Sequence, residues 1–155
     1  MRTSVLLLAS ALTILPALEA AAQDGRRWIA LGSEQSSALV YGTPDSDDLV
    51  ISFACMPATR QVKVAFTHEP VGAKDGMRIG MELFSEGGRL MLDATGERLQ
   101  LDDIFVLEAK TTLSPALRRL LTEGRTLSVM VQDGVEEIPL DGAAEAAAGL
   151  IAACG

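Results

Sequence analysis

The stretch LVISFAC, residues 49–55, decides the fold that is predicted for this chain. Its apolar side chains recur at every second position, at Leu49, Ile51, Phe53 and Cys55. A period of two places these four side chains on one face of a β-strand, with the polar and small residues on the other. The stretch is therefore predicted to be a half-buried strand whose last residue, Cys55, points toward a core.

The same alternation recurs on both sides of this strand. Further strands are predicted at 28–31, 37–42, 62–66, 77–83, 90–92, 99–101, 104–109, 126–132 and 136–140. Gly87–Gly88 and Asp133–Gly134 favour tight hairpin turns, and DATGE at 93–97 is interpreted as another hairpin. Pro139 cannot donate to a sheet, so the last strand is expected at an edge. Short strands joined by such turns are typical of an antiparallel meander.

Two helices complete the pattern. Ser114 suits an N-cap, Pro115 the first helical position and Gly124 the residue after the end, so a helix is predicted over 115–123. The alanine-rich segment at 143–153 is a second, C-terminal helix, because alanine has the highest helix propensity. The predicted fold class is mainly β, an antiparallel β-sandwich or partly open barrel with a short helix and a C-terminal helix.

The two cysteines of the chain are predicted to form a disulfide. On the C-terminal helix, Ala147, Leu150, Ile151 and Cys154 follow the i, i+3, i+4, i+7 spacing of one apolar stripe. Cys154 and Cys55 thus point toward the core from different elements, and such thiols pair in an exported protein. The bond would close a loop of about 100 residues, which is worth about 4.7 kcal/mol in the chain-entropy account. Neither a C-x-x-C motif nor a histidine cluster supports a redox or metal role.

The first residues have the pattern of a secretory signal peptide. Arg2 is followed by an apolar run from Val5 to Leu15, which falls short of the about 20 residues that span a bilayer. Ala20 and Ala22 occupy the −3 and −1 positions of an A-x-A site, so cleavage is predicted between Ala22 and Gln23.

The predicted organisation is a signal peptide at 1–22 and a single mainly-β domain at 23–155. The localisation that follows is periplasmic or secreted. No later stretch is long and apolar enough for a membrane span.

Charge excludes some kinds of partner. The chain has 13 Lys and Arg against 21 Asp and Glu, a net charge of −8. Nucleic-acid binding depends on lysine and arginine contacts to phosphates, so no nucleic-acid partner is expected. The oligomeric state stays open.

Residues capable of catalysis are few. His68 is the single histidine, at the end of a predicted strand, and no serine lies in a G-x-S-x-G elbow. A surface histidine is the simpler interpretation, and a triad built on His68 is the alternative. No catalytic residue and no cofactor is assigned.

Metal sites are also poorly supported. The acids of PDSDD (44–48) could bind calcium, but a solvated turn explains them better, because the glycine and distal glutamate of an EF-hand are missing. Methionine sulfur favours Cu(I), yet core packing accounts for the candidate methionines. These are Met77, Met81 and Met91.

The chain resembles small exported single-disulfide proteins of Gram-negative bacteria. The shared features are a tryptophan near the start (Trp28), a strand that ends in cysteine (VISFAC, 50–55) and the C-terminal segment LDGAAEAAAGLIAAC (140–154). This C-terminal segment is similar to that of the VasI-like periplasmic accessory proteins of type VI secretion. The resemblance implies export, paired cysteines and a mainly β fold, and it implies no catalytic residues.

The function predicted from the sequence is a non-enzymatic binding or accessory module of the cell envelope, with an envelope protein as its partner. Two alternatives stay open. One is a small hydrolase that uses carboxylates or His68, and the other is a carrier of a small apolar ligand inside the β-structure.

Overall fold

The computed structural model describes residues 25–33 and 36–155, with three short helices and nine strands. The predicted signal peptide and its cleavage site at Ala22 and Gln23 lie outside these residues. The elements are β1 (Arg27–Ser33), β2 (Ser36–Gly42), β3 (Leu49–Met56), β4 (Gln61–Thr67), β5 (Arg78–Ser85), β6 (Gly88–Leu99), β7 (Ile104–Thr112), α1 (Pro115–Thr122), β8 (Thr126–Val131), β9 (Gly134–Pro139), α2 (Ala143–Ala146) and α3 (Ala148–Cys154).

All nine strands belong to one antiparallel sheet, which confirms the mainly β prediction. The strand order is β1-β2-β3-β4-β7-β6-β5-β8-β9, and every neighbouring pair is antiparallel. The sheet curls into a half-barrel. Of the two predicted alternatives, the partly open barrel is therefore the one observed, since a sandwich needs two separate sheets.

One face of the sheet carries the core. On β3, three of the four period-two side chains of LVISFAC, Ile51, Phe53 and Cys55, are buried as predicted, whereas the fourth, Leu49, is 39% exposed. The neighbouring strands add the buried residues Val62, Val64, Phe66, Phe105, Leu107 and Ala109. The three helices cover this face, so the core lies between them and the curled sheet.

The predicted hairpin at DATGE is wrong, because these residues lie within the single long strand β6. Ala94 is buried in the core, and Asp93 and Thr95 alternate with it on the other face. Gly96 is needed for packing rather than for a turn, since a Cβ there would lie 2.5 Å from the Phe105 ring. The chain turns only after Leu99, which was predicted to begin a new strand.

The helix predicted over 115–123 is confirmed, one residue shorter. The Ser114 side chain accepts a hydrogen bond from the backbone of Leu117, and Gly124 takes a positive φ of 112° after the last turn.

The β5–β6 turn packs against the end of α1. A Cβ on Gly87 would lie 2.2 Å from the Arg119 carbonyl oxygen, so only glycine allows this approach. Both predicted glycine hairpins exist, but each turn starts one residue earlier than the glycine pattern suggests.

The C-terminal segment forms two short helices, α2 and α3, where one was predicted. Ala147 lies between them. Of the predicted apolar stripe, Ala147, Leu150 and Cys154 are buried and Ile151 is half-buried. Cys154 is bonded to Cys55, with 5.7 Å between the two Cα atoms. The predicted disulfide is thus confirmed, and it fixes α3 against β2 and β3.

The open edges of the sheet approach each other through side chains. The Trp28 indole on β1 donates a hydrogen bond of 2.7 Å to the Pro139 carbonyl on β9. The β8–β9 turn is held to the end of β4, because the Asp133 carboxylate accepts from the Val71 backbone and lies 3.1 Å from Nε2 of His68. These contacts fasten the last hairpin to the first half of the sheet.

The disulfide is expected to supply much of the stability. Replacing both cysteines (Cys55→Ala with Cys154→Ala) should lower the free energy of unfolding by about 2–5 kcal/mol, because the bond closes a long loop of 99 residues. Urea denaturation, monitored by circular dichroism, measures this loss of unfolding free energy. Reduction of the parent protein should give a similar loss. A loss below about 1 kcal/mol, the size of an ordinary single substitution, would contradict the prediction.

The Asp133 contact should make stability depend on pH. The hydrogen bond from the Val71 amide, followed by that from His68, holds the pKa of Asp133 below its ordinary value of 3.8. The stabilisation is therefore complete above this ordinary pKa and is lost as the pH falls through the lower pKa of Asp133 in the folded protein. Asp133→Asn should lower the Tm at neutral pH, with a gap to the parent that narrows toward about pH 2.

The matched control is Asp141→Asn, which changes an exposed aspartate outside this contact. It should leave the Tm close to that of the parent across the same range. An Asp133→Asn gap that stays constant with pH would show that the charge of Asp133 contributes nothing.

Candidate binding site

The second face of the sheet, opposite the core, carries an open groove over β3, β4 and β7. Its cavity volume is about 240 Å³. We call it the β3–β7 groove, and its lining residues are Asp47, Leu49, Ile51, Ser52, Ala65, Thr67, Leu99, Asp102, Ile104, Val106 and Glu108.

The floor of the groove is built by cross-strand neighbours. Ala65 on β4 pairs with Ser52 of β3 on one side and with Glu108 of β7 on the other. Thr67 and Val106 form the next row toward the loops. Partners in an antiparallel sheet point to the same face, so Ala65 and Val106 lie beside Ser52, Thr67 and Glu108 on the floor of the groove.

The floor is more apolar than an uncovered sheet face usually is. One face of an antiparallel sheet typically faces water and carries polar side chains. Here Val106 is only 8% exposed although it lies on the face away from the core. At the rim, Leu49 and Leu99 are 39% and 43% exposed. The apolar surface that the described part of the chain leaves exposed is therefore at the rim, at Leu49 and Leu99, whereas Val106 on the floor is almost fully covered.

The charged groups at the groove are acidic. Asp47 and Asp102 line it at the loop end and Glu108 at the other end, and no lysine or arginine is among its described lining residues. Glu108 is paired with Lys63 at 2.9 Å. Asp47 and Asp102 form no ion pair with the residues that the structure describes. The loop end of the groove is thus a region of uncompensated negative charge.

Local turns hold these two aspartates in place. Asp48, next to Asp47, accepts two hydrogen bonds of 2.9 Å from Arg26 and one of 2.8 Å from Thr43. The bond from Arg26, and then that from Thr43, keeps the pKa of Asp48 below its ordinary value. The ordered carboxylate fixes the β2–β3 turn at the groove.

On the other side of the groove, Arg98 contacts Asp103 and Glu69. It also lies over the Phe105 ring, 5.5 Å from its centroid, on the core face of the sheet. This arrangement orders the β6–β7 turn that carries Asp102. It also keeps the Arg98 charge away from the groove.

His68 lies near the loop end of the groove, but its contacts are those of a structural residue. Its ring stacks on Phe66 at a centroid distance of 5.6 Å, and Nε2 faces Asp133. The described residues that line the cavity beside His68 contain one hydroxyl, that of Thr67, and neither serine nor cysteine. The structure thus brings His68 to an acid, while the nucleophile that a Ser-His-Asp triad needs is not among these lining residues.

The other candidates from the sequence do not converge. Within residues 25–33 and 36–155, no group of three His, Cys, Asp or Glu side chains is placed to hold a metal ion. Met81 is buried in the core, whereas Met91 is 61% exposed. They face opposite sides of the sheet, because Met81 pairs with Leu92, next to Met91.

The interior of the half-barrel is filled by side chains such as Phe53, Met81 and Leu107, each fully buried. In the described residues, no helix has both the length and the apolar character needed to cross a membrane.

The groove was not predicted from the sequence, although a signal for it is present. Both Phe105 and Val106 are buried although successive side chains of a strand point to opposite faces. The unbroken apolar run IFVL at 104–107, like LVI at 49–51, therefore indicates strands that are apolar on both faces. The period-two analysis assigned only one face to each of these strands.

In comparisons with known proteins, no protein family, curated protein or solved structure matches the chain.

Proposed function

We propose that this protein is a non-enzymatic binding module of the cell envelope, exported to the periplasm or secreted, and that it holds a protein partner in the β3–β7 groove. The observation that carries the proposal is the exposed apolar rim of this groove, Leu49 and Leu99, on the face of the sheet away from the core. Apolar surface left uncovered on a folded protein is characteristic of binding sites.

Two further features support the proposal. The Cys55–Cys154 bond fits an oxidising compartment, because structural disulfides persist outside the cytoplasm. The predicted signal peptide at 1–22 leads to the same compartment. The groove itself is built on paired strands rather than on loops, and a rigid floor binds with little loss of conformational entropy.

Site-specific photocrosslinking in the producing cells tests both parts of this proposal. A photoreactive amino acid at Leu99, on the groove rim, should give a covalent adduct with a protein of the extracytoplasmic fraction. The matched control is the same amino acid at Val135, which is 60% exposed on the edge strand β9. It should give no such adduct.

A substitution that fills the groove makes the test specific. Ala65→Leu adds a larger apolar side chain to the floor without touching the core face, so it should reduce the Leu99 adduct at least about fivefold, which is about 1 kcal/mol of lost affinity. Its unfolding curve checks that the fold is retained. Adducts that are equal at Leu99 and Val135, or that persist in Ala65→Leu, would refute a partner in the groove.

A further inference from the structure

We infer that the β3–β7 groove recognises an extended peptide segment that places an apolar side chain on the groove floor and a basic residue beside Asp47 and Asp102. This inference rests on the proposed function and names the chemistry of the partner. It follows from the size of the groove, from the distribution of charge around it and from the composition of its floor.

The size of the groove favours a side chain over a free organic ligand. Its volume is about 240 Å³, below the range of about 300–1,000 Å³ of pockets that enclose small molecules. The groove is also open along the sheet. A peptide can lay one or two side chains into such a space while its backbone stays outside.

The charges select the residue that lies next to the apolar side chain. Asp47 and Asp102 stand at the loop end with no ion-pair partner among the described residues, and Arg98 is turned to the other face. A lysine or arginine placed there would gain attraction from both carboxylates. An acidic residue would be repelled, which gives specificity by charge.

The opposite end of the groove sets a direction for the peptide. Glu108 is neutralised by Lys63, and Lys110 lies beside Lys63 on the next strand. Beyond Glu108 the surface is therefore no longer acidic. The basic residue of the partner belongs at the loop end, and the apolar side chain reaches from there over Ala65 and Val106.

A second copy of the chain fits the groove poorly. The protein has a net charge of −8, and the exposed leucines next to the groove are accompanied by aspartates. Leu101, for example, is 97% exposed and precedes Asp102 and Asp103. Packing two such faces together would bring like charges into contact, which is destabilising.

Short synthetic peptides provide the test, with the isotope-labelled, disulfide-bonded protein observed by NMR. The probe is acetyl-Lys-Leu-Leu-Lys-amide, whose two lysines make its direction unimportant. Titration should shift the amide signals of β3, β4 and β7, with residues such as Ser52, Ala65 and Val106 most affected. The control peptides replace both lysines by glutamate or both leucines by serine, and each should bind at least about tenfold more weakly.

Matched variants locate the charge. Asp47→Asn with Asp102→Asn should weaken binding of the lysine probe by about threefold to tenfold, as expected for two partly exposed ion pairs. The control is Asp141→Asn with Glu145→Gln, two exposed acids that line a different cavity. It should leave the affinity unchanged. Added salt should weaken binding to the parent protein and have less effect on the Asp47 and Asp102 variant.

Three results would overturn the inference. Equal binding of the glutamate and lysine peptides would show that the rim charges select nothing. Signal shifts outside the groove would place the peptide elsewhere, and a concentration-dependent dimer that shifts the groove signals without peptide would identify a second copy as the occupant. If none of the peptides binds but the Leu99 adduct is still reduced in Ala65→Leu, the proposed function stands and only the partner chemistry assigned here is wrong.

Discussion

The structure depends on covering the concave face of a single curled sheet, and the Cys55–Cys154 bond is the constraint that keeps its cover in place. The helices over this face are short, and α2 and α3 are rich in alanine. Alanine favours a helix but contributes little apolar surface, and isolated helices of this length are marginal in water. A covalent link to β3 compensates for weak packing by restricting the unfolded chain.

Anchoring the core face has a consequence for the other face of the same strands. Residues such as Phe53 and Leu107 fix β3 and β7 from below, so the outward side chains between them are held in fixed positions. The apolar rim of the groove, at Leu49 and Leu99, can therefore stay exposed while the strands below it keep their positions. Stability and recognition are thus divided between the two faces of one sheet.

Much of the fold follows from local patterns in the sequence. Alternation at LVISFAC, the Ser114 cap and the helical stripe that ends in Cys154 all reflect forces that act within a few residues. The DATGE segment shows the limit of such patterns. Its aspartate and glycine are typical of a turn, but Gly96 is selected by the Phe105 ring that lies over it, a contact between different strands. A turn residue and a packing residue look alike until the neighbouring strand is known.

The groove was missed for a related reason. Ala65, Val106 and Asp102 are separated in the sequence and are joined only by the register of β4 with β7 and by the turn after β6. The break between α2 and α3 at Ala147 was also missed, since nothing in an alanine-rich run marks where it ends. By contrast, Pro139 predicted an edge strand correctly, because its missing N–H is a property of the residue itself.

The contact between Trp28 and the Pro139 carbonyl gives the molecule a built-in optical reporter. Trp28 is the single tryptophan, and its indole joins the first strand to the last. Its emission therefore senses the meeting of β1 and β9, which are far apart in the sequence, whereas backbone spectroscopy senses all strands at once. During refolding the two signals would separate whenever strands pair before the half-barrel closes, so comparing them distinguishes sheet formation from closure.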